Sequence, residues 1–279
     1  MRLTSPWGDA PRAPLRAALA GVLTFDLASL VGWLYVRPAG PASAPDAPRF
    51  VLALGGTWLV PALVAAVGAA AALRFARRRR ALGAGVVALA AHGFLVESLA
   101  AVRGAHWHNY YSVAAALTGW LVVLALHPAG EAGGPDDEVE RLAEHGAAAG
   151  LAATYVAAFT SKLLASGASW LSPASLRALL VGQTGLVGRG LGADVARAIV
   201  SSSALATALL AFVAAAQISA LAYPFRARAR TAVGTALLAF HLGAFALTPL
   251  IYFEAVALLL AFSYPWPALL RRAWGRPSP

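Results

Sequence analysis

Apolar residues in this chain do not alternate with polar ones, as a half-buried strand requires. They gather in blocks of roughly 20, the length an α-helix needs to cross a bilayer core. Eight such blocks stand out: Leu15–Val36, Val51–Leu73, Ala81–Val102, Tyr111–His127, Ala147–Ala165, Ala198–Tyr223, Ala232–Leu247 and Ile251–Pro267. The first is too long for the core of a secretion signal, and no small-residue cleavage pattern closes it. A polar stretch, Glu131–Glu144, reads as a loop before the fifth block. Residues Ser166–Arg197 read as an ordered loop at the outer membrane surface. Within it Ser172–Leu180 is expected as a short amphipathic helix, with Ser172 as N-cap and Pro173 at the first helical position. The pattern predicts an all-α, polytopic membrane helix bundle of about eight transmembrane helices. It is expected as a single domain over residues 1–279, with no separate soluble domain.

Composition sharpens that picture. Hydrophobic residues make up 59% and charged residues 12%, against about 45–50% and about 25% in soluble domains. This excludes a water-soluble globular enzyme and a disordered chain. The absence of cysteine excludes disulfides, thiolate nucleophiles and cysteine-ligated metals. The net charge of +10 resembles a nucleic-acid signal until its placement is considered. Fourteen of the 21 arginines fall at Arg2, Arg12, Arg16, the cluster Arg74–Arg80, Arg226–Arg230 and Arg271–Arg276. With a cytoplasmic N-terminus these are all cytoplasmic ends, as the positive-inside rule requires. The charge is therefore a topology signal. It predicts a multi-pass protein of a bacterial cell membrane, both termini cytoplasmic, with the lipid bilayer and no nucleic acid as partner.

Ionisable groups inside membrane blocks are costly and are functional candidates by default. Here they are Asp26, His92, Glu97, Lys162, His241 and Glu254. Counted along their helices, Glu97, Lys162 and Glu254 fall in the outer half, and Asp26, His92 and His241 near the middle. The expectation is one polar cavity open to the outer face, with Lys162, Glu97 and His241 on it and the other three nearby. Lys162 is the single lysine among 22 basic residues. An ammonium, unlike a guanidinium, can lose its proton when desolvated and then act as base or nucleophile. A snorkelling or ion-paired lysine is an equally good reading of position alone. His241 needs a partner within the bundle, and structural and catalytic roles both fit it.

Between the third and fourth blocks lies Ala105-His106-Trp107-His108-Asn109-Tyr110-Tyr111. An interfacial aromatic belt accounts for Trp107, Tyr110 and Tyr111. His106-x-His108 lacks a third ligand at a recognised spacing, so no metal is expected. Gly188-Arg189-Gly190-Leu191-Gly192 lacks the strand–turn–helix setting of a phosphate-binding loop and reads as a flexible loop.

Tyr155-Val156-Ala157-Ala158-Phe159-Thr160-Ser161-Lys162-Leu163, followed by Ser169-Trp170-Leu171, resembles the membrane domain of vitamin K-dependent gamma-carboxylases. It equally resembles their bacterial relatives, the horizontally transferred transmembrane (HTTM) proteins. Phe240-His241-Leu242-Gly243 with Pro249-Leu250-Ile251-Tyr252-Phe253 looks like that family's late histidine helix and its aromatic–proline break. Trp107-His108-Asn109-Tyr110 looks like its Trp-Asn-Asn-His stretch, except that the histidine's place is taken by Tyr110. The resemblance implies a lipid quinol cofactor of the vitamin K or menaquinol type. It implies Lys162 as base and His241 and Glu97 as orienting or proton-shuttling groups, with the displaced histidine's role lost or moved to His106 or His108. Trp107, Tyr110, Trp170 and His92 would line the cofactor. No counterpart of the large lumenal domain of the animal enzymes is expected. The expected function is a membrane enzyme, carboxylase- or oxidoreductase-like, acting on a peptide or small substrate at the outer face. The alternative is a non-catalytic membrane component for maturation or export of a secreted peptide. A transporter is disfavoured because no inverted repeat is visible.

Because the chain has no cysteine, single cysteines report topology directly. Arg79→Cys and Arg271→Cys are expected to react with a membrane-impermeant maleimide from the cytoplasmic side alone, and Arg49→Cys from the outer side alone. Labelling of Arg79→Cys from outside would reverse the arrangement.

Overall fold

The computed structural model describes residues 3–36, 59–79, 81–103, 110–128, 136–184, 191–247 and 252–274. Among the described residues there are eleven α-helices and no strands. They are α1 (Ala13–Val36), α2 (Leu59–Arg77), α3 (Leu82–Arg103), α4 (Tyr111–Leu126), α5 (Asp136–Ser166), α6 (Pro173–Thr184), α7 (Leu191–Ser201), α8 (Ser203–Ser219), α9 (Ala227–Leu247), α10 (Phe253–Ser263) and α11 (Trp266–Ala273). Six helices are long and apolar enough to cross a membrane, or seven if the broken pair α10 and α11 forms one span. The fourth predicted block corresponds to α4, a shorter apolar helix of 16 residues.

Three predicted boundaries move, each for a local reason. The polar stretch up to Glu144 is not a loop throughout, since α5 already begins at Asp136. Carboxylates suit the positive end of a helix dipole, and Glu140 and Glu144 find arginine partners there. The sixth block divides at Ser202. This residue is extended, and its hydroxyl accepts the Leu205 N–H at 3.2 Å, so it caps a new helix, α8. The eighth block breaks at Tyr264–Pro265, where proline cannot donate the helical hydrogen bond. The expected cap at Ser172 is present: its Oγ accepts the Ser175 N–H at 3.3 Å.

The helices form two compact units, Trp7–Leu151 with Trp266–Pro279 and Met1–Pro6 with Ala152–Pro265, called here the N-terminal and C-terminal units. Helix α5 contributes its first half to one and its second half to the other.

In the N-terminal unit α1, α2 and α3 pack on one another, and α4 packs on α3 and α1. Residues Arg12, Arg16, Leu19, Leu23, Asp26 and Leu30, spaced four and three apart, form one buried face along α1. Arg12 Nε donates to Glu144 Oε2 at 2.9 Å, and Arg16 pairs with Glu140, all four side chains buried. Removing one partner of such a pair costs about 3–5 kcal/mol, because the other charge stays buried. Nearer solvent, Arg79 pairs with Asp137 and Arg141 with Asp9 around a 260 Å³ cavity. Helices α4 and α5 cross where side chains are absent. A Cβ on Gly119 would lie 2.0 Å from Gly146 O, and one on Gly150 would lie 2.0 Å from Ala115 O. Gly146-x-x-x-Gly150 is the small-residue spacing that lets membrane helices approach backbone to backbone.

In the C-terminal unit α9 closes on α10, where a Cβ on Gly234 would meet Ser263 Oγ at 2.0 Å. Ser263 Oγ bonds Tyr223 OH at 2.9 Å, and Thr231 Oγ1 donates to Ser263 O at 2.7 Å. The fully buried Arg230 donates to the carbonyls of Tyr223 and Pro224 at 3.3 and 3.2 Å, satisfying the chain where it turns into α9. Large apolar side chains face outward in both units: Leu164 is 82% exposed and Leu126 72%. Water would penalise these surfaces and hydrocarbon would not, so the helices suit a lipid bilayer.

The glycine crossing is testable. Gly146→Ala pushes a methyl to 2.3 Å from Gly119 O and is expected to cost about 1–3 kcal/mol by forcing the helices apart. Gly93→Ala, on α3 with no atom within 4 Å of the added carbon, should be neutral or slightly stabilising. Thermal unfolding of both variants in detergent checks the difference.

Candidate functional site around Lys162

The second half of α5 carries Tyr155, Phe159 and Lys162 at spacings of four and three, so they share one helix face. Tyr155 and Lys162 are about 10 Å apart along the axis. One turn beyond Lys162 the helix ends, and Gly167 adopts φ +56°, the left-handed conformation that glycine takes at little cost. The chain then tightens into a 3₁₀ turn, Gly167–Leu171, which folds Trp170 back over the face it has just left. Trp170 meets Phe159 edge to face, centroids 6.0 Å apart, and is buried with Leu176, Leu180, Ile199, Ala206 and Leu210.

Lys162 is half-buried beneath this turn. Its Nζ donates to Gln217 Oε1 at 3.1 Å and lies 5.6 Å from the centroid of the Trp170 ring. Gln217 comes from α8 and is itself buried. Among the described residues, the partners of the ammonium are thus a neutral amide and an aromatic face. A cation over an indole ring gains about 0.5–2 kcal/mol, more as the site is desolvated. The Trp170 Nε1 is buried with no hydrogen-bond partner among the described residues.

Two turns back on the same face, Tyr155 OH lies 2.8 Å from His241 Nε2, contributed by α9. The imidazole is buried among Tyr155, Phe240 and Tyr252, with ring centroids at 5.7, 4.9 and 5.1 Å. Its Nδ1 has no hydrogen-bond partner among the described residues. The site therefore combines one cation, one imidazole and several aromatic faces in an apolar wall. An amine and an imidazole are both groups able to exchange protons.

The structure distributes the other sequence candidates as follows. Lys162, Trp170 and His241 belong to the C-terminal unit, as does Glu254, buried in the first turn of α10. Glu97 lies on the exposed side of α3, in the N-terminal unit. Asp26 and His92 are in that unit too, with His92 Nε2 3.4 Å from Asp26 Oδ2 and both side chains fully buried. Tyr110 is buried just before α4. Trp107 and His108 lie outside the described residues, and so does His106. Among the described residues no three His, Asp or Glu side chains gather as metal ligands would. Sequence reasoning missed Gln217 and the role of Tyr155. The available signal for Gln217 is an amide within an otherwise apolar span, Ser203–Ala222.

The fold defines the class: an all-α helical bundle of the multi-pass membrane type. No family model, curated protein or solved structure matches the chain.

The histidine is held by a single bond, which makes that bond measurable. Tyr155→Phe is expected to cost about 1–3 kcal/mol, because it strands His241 Nε2 in an apolar setting. Ser161→Ala, which removes an exposed bond to Ala158 O within its own helix, should be near neutral. Chemical or thermal denaturation in detergent compares the two.

Proposed function

We propose that this chain is an integral membrane enzyme that uses a lipid quinol beside Lys162 to modify a peptide or small substrate at the outer membrane face. One observation carries the reading. The single lysine of the chain stands in a membrane-spanning helix against a neutral amide and an indole ring. A carboxylate partner would pin the positive charge, whereas an amide lets the amine change protonation state without stranding a buried anion. The resemblance of the Tyr155–Leu163 and Phe240–Gly243 stretches to the gamma-carboxylase and HTTM membrane domain supports the same reading.

The residues fit such a group. The Trp170 and Phe159 rings offer apolar faces, and the Trp170 Nε1 and His241 Nδ1 are buried polar atoms still able to bond a ligand oxygen. A bound quinol supplies acidic hydroxyls and a redox-active ring. With a quinol bound, Lys162 Nζ in its neutral form would be the group to take up a hydroxyl proton, and Gln217 Oε1 would hold the ammonium by accepting one of its N–H bonds. The Tyr155–His241 pair holds a second proton at Nε2 or the phenol oxygen, two turns along α5. The exposed apolar side chains of the unit admit lipid and keep bulk water from the base.

The test is Lys162→Arg, expressed at the wild-type level and assayed for quinol oxidation by oxygen in bilayers. Guanidinium keeps the charge but does not give up its proton, so activity is expected to fall by about 10²-fold or more, the contribution typical of a general base. Undiminished activity in that variant removes the base role of Lys162, and a wild type that oxidises no quinol favours the non-catalytic membrane component.

A further inference from the structure

The N-terminal unit buries three acid–base pairs, and they are not alike. Two sit at the first turn of α1 and pair arginine with glutamate: Arg12 with Glu144 and Arg16 with Glu140. The third lies near the midpoints of the 24-residue α1 and the 22-residue α3, and pairs Asp26 with His92. Arginine keeps its charge at any pH a protein meets, whereas histidine is the side chain built to change it. The chain has 21 arginines to draw on. At the depth where a permanent charge costs most, it places the one cationic partner that can become neutral.

The geometry points to the Asp26–His92 pair as a membrane-embedded proton-binding site, independent of the Lys162 site. Its ligand is a single proton drawn from water. With carboxylate and neutral imidazole the pair carries net charge −1. One added proton, on either group, brings it to zero. The apolar surroundings favour the neutral total, so the resting pair holds one proton between its two groups and releases it when α1 and α3 admit water.

The 3.4 Å separation of Nε2 and Oδ2 is longer than a short charge-assisted bond, which suits a pair whose proton is exchanged. The seam around it is apolar: the neighbours in sequence, Leu27 and Ala91, close on Gly68 of α2. Other titratable groups on the packed helices stand at least a turn away. On α1 and α5 these are Arg16, Glu140, Glu144 and His145. On α2 they are Arg74 and Arg77, on α3 the exposed Glu97, and on α4 Tyr111. The arginine–glutamate pairs neutralise each other, leaving the Asp26–His92 proton as the mobile charge at mid-depth.

The test uses the full chain in lipid nanodiscs, with the proton itself as probe. Histidine ring nitrogens are followed by NMR, and the His92 signals are identified by their loss in His92→Gln. The Asp26 carboxyl band is followed by infrared spectroscopy and identified by its loss in Asp26→Asn. The wild type is expected to show a reversible change in one or both signals as pH is varied. Asp26→Asn should move the His92 midpoint by at least about one pH unit, since coupled groups titrate as a pair. Two results overturn the proposal. One is wild-type signals that stay constant over the whole pH range in which the fold survives, which marks a static structural pair. The other is a midpoint shift smaller than that in Asp26→Asn, which marks two uncoupled groups. If His92→Gln or Asp26→Asn fails to accumulate, His92→Asn or Asp26→Ser takes its place in the assignment.

Discussion

What positions Lys162 first of all is one helical face, because Tyr155, Phe159 and Lys162 stand four and three residues apart in the second half of the 31-residue helix α5. Its opening turns carry Asp136, Asp137, Glu138, Glu140 and Glu144, a density of negative charge that would keep an isolated segment in water. Arg12 and Arg16 neutralise two of these carboxylates inside the protein. The next turns are fastened by absence, with Gly146 and Gly150 lying against the backbone of α4 at Gly119 and Ala115. Two turns further on the same helix presents Tyr155, Phe159 and Lys162. A break between Tyr155 and Lys162 would take them off a common face, since each residue turns the helix by about 100°.

The two ends of α5 use opposite electrostatic strategies. At its start, charges of opposite sign meet in buried pairs. Near its end, a lone ammonium meets a neutral amide oxygen and the face of an indole ring. The first arrangement balances each buried charge with its opposite; the second surrounds one charge with neutral groups among the described residues. Gly167 links this difference to a single backbone angle, because its left-handed conformation sends Trp170 back over Lys162 rather than onward along the helix axis.

Many polar groups follow the rule that hydrocarbon imposes, that donors and acceptors find partners inside the protein. Thr24, Ser98 and Thr118 return their hydroxyls to carbonyls four residues earlier in their own helices. Arg230 spends its guanidinium on the carbonyls of a turn. The buried Nδ1 of His241 and Nε1 of Trp170 have no hydrogen-bond partner among the described residues, and the same holds for Trp120 Nε1 in the N-terminal unit.

The sequence by itself determined the fold class, because blocks of some 20 apolar residues have one economical conformation in hydrocarbon. It also determined most helix positions and singled out Lys162 by its uniqueness. Local chemistry sufficed for Ser172, whose cap was legible beside Pro173. Other features depended on partners distant in sequence. The helical start of α5 was hidden because its acids look like a loop until Arg12 and Arg16 lie beside them. Gln217 was silent because an amide matters only for what it faces. Asp26 and His92, and likewise Tyr155 and His241, were separate polar residues until α1 met α3 and α5 met α9. Hydropathy is a property of each residue and its near neighbours, so the sequence carries it openly. Which polar groups come within 3–4 Å of each other depends on how helices rotate and cross, and only the tertiary structure decides that.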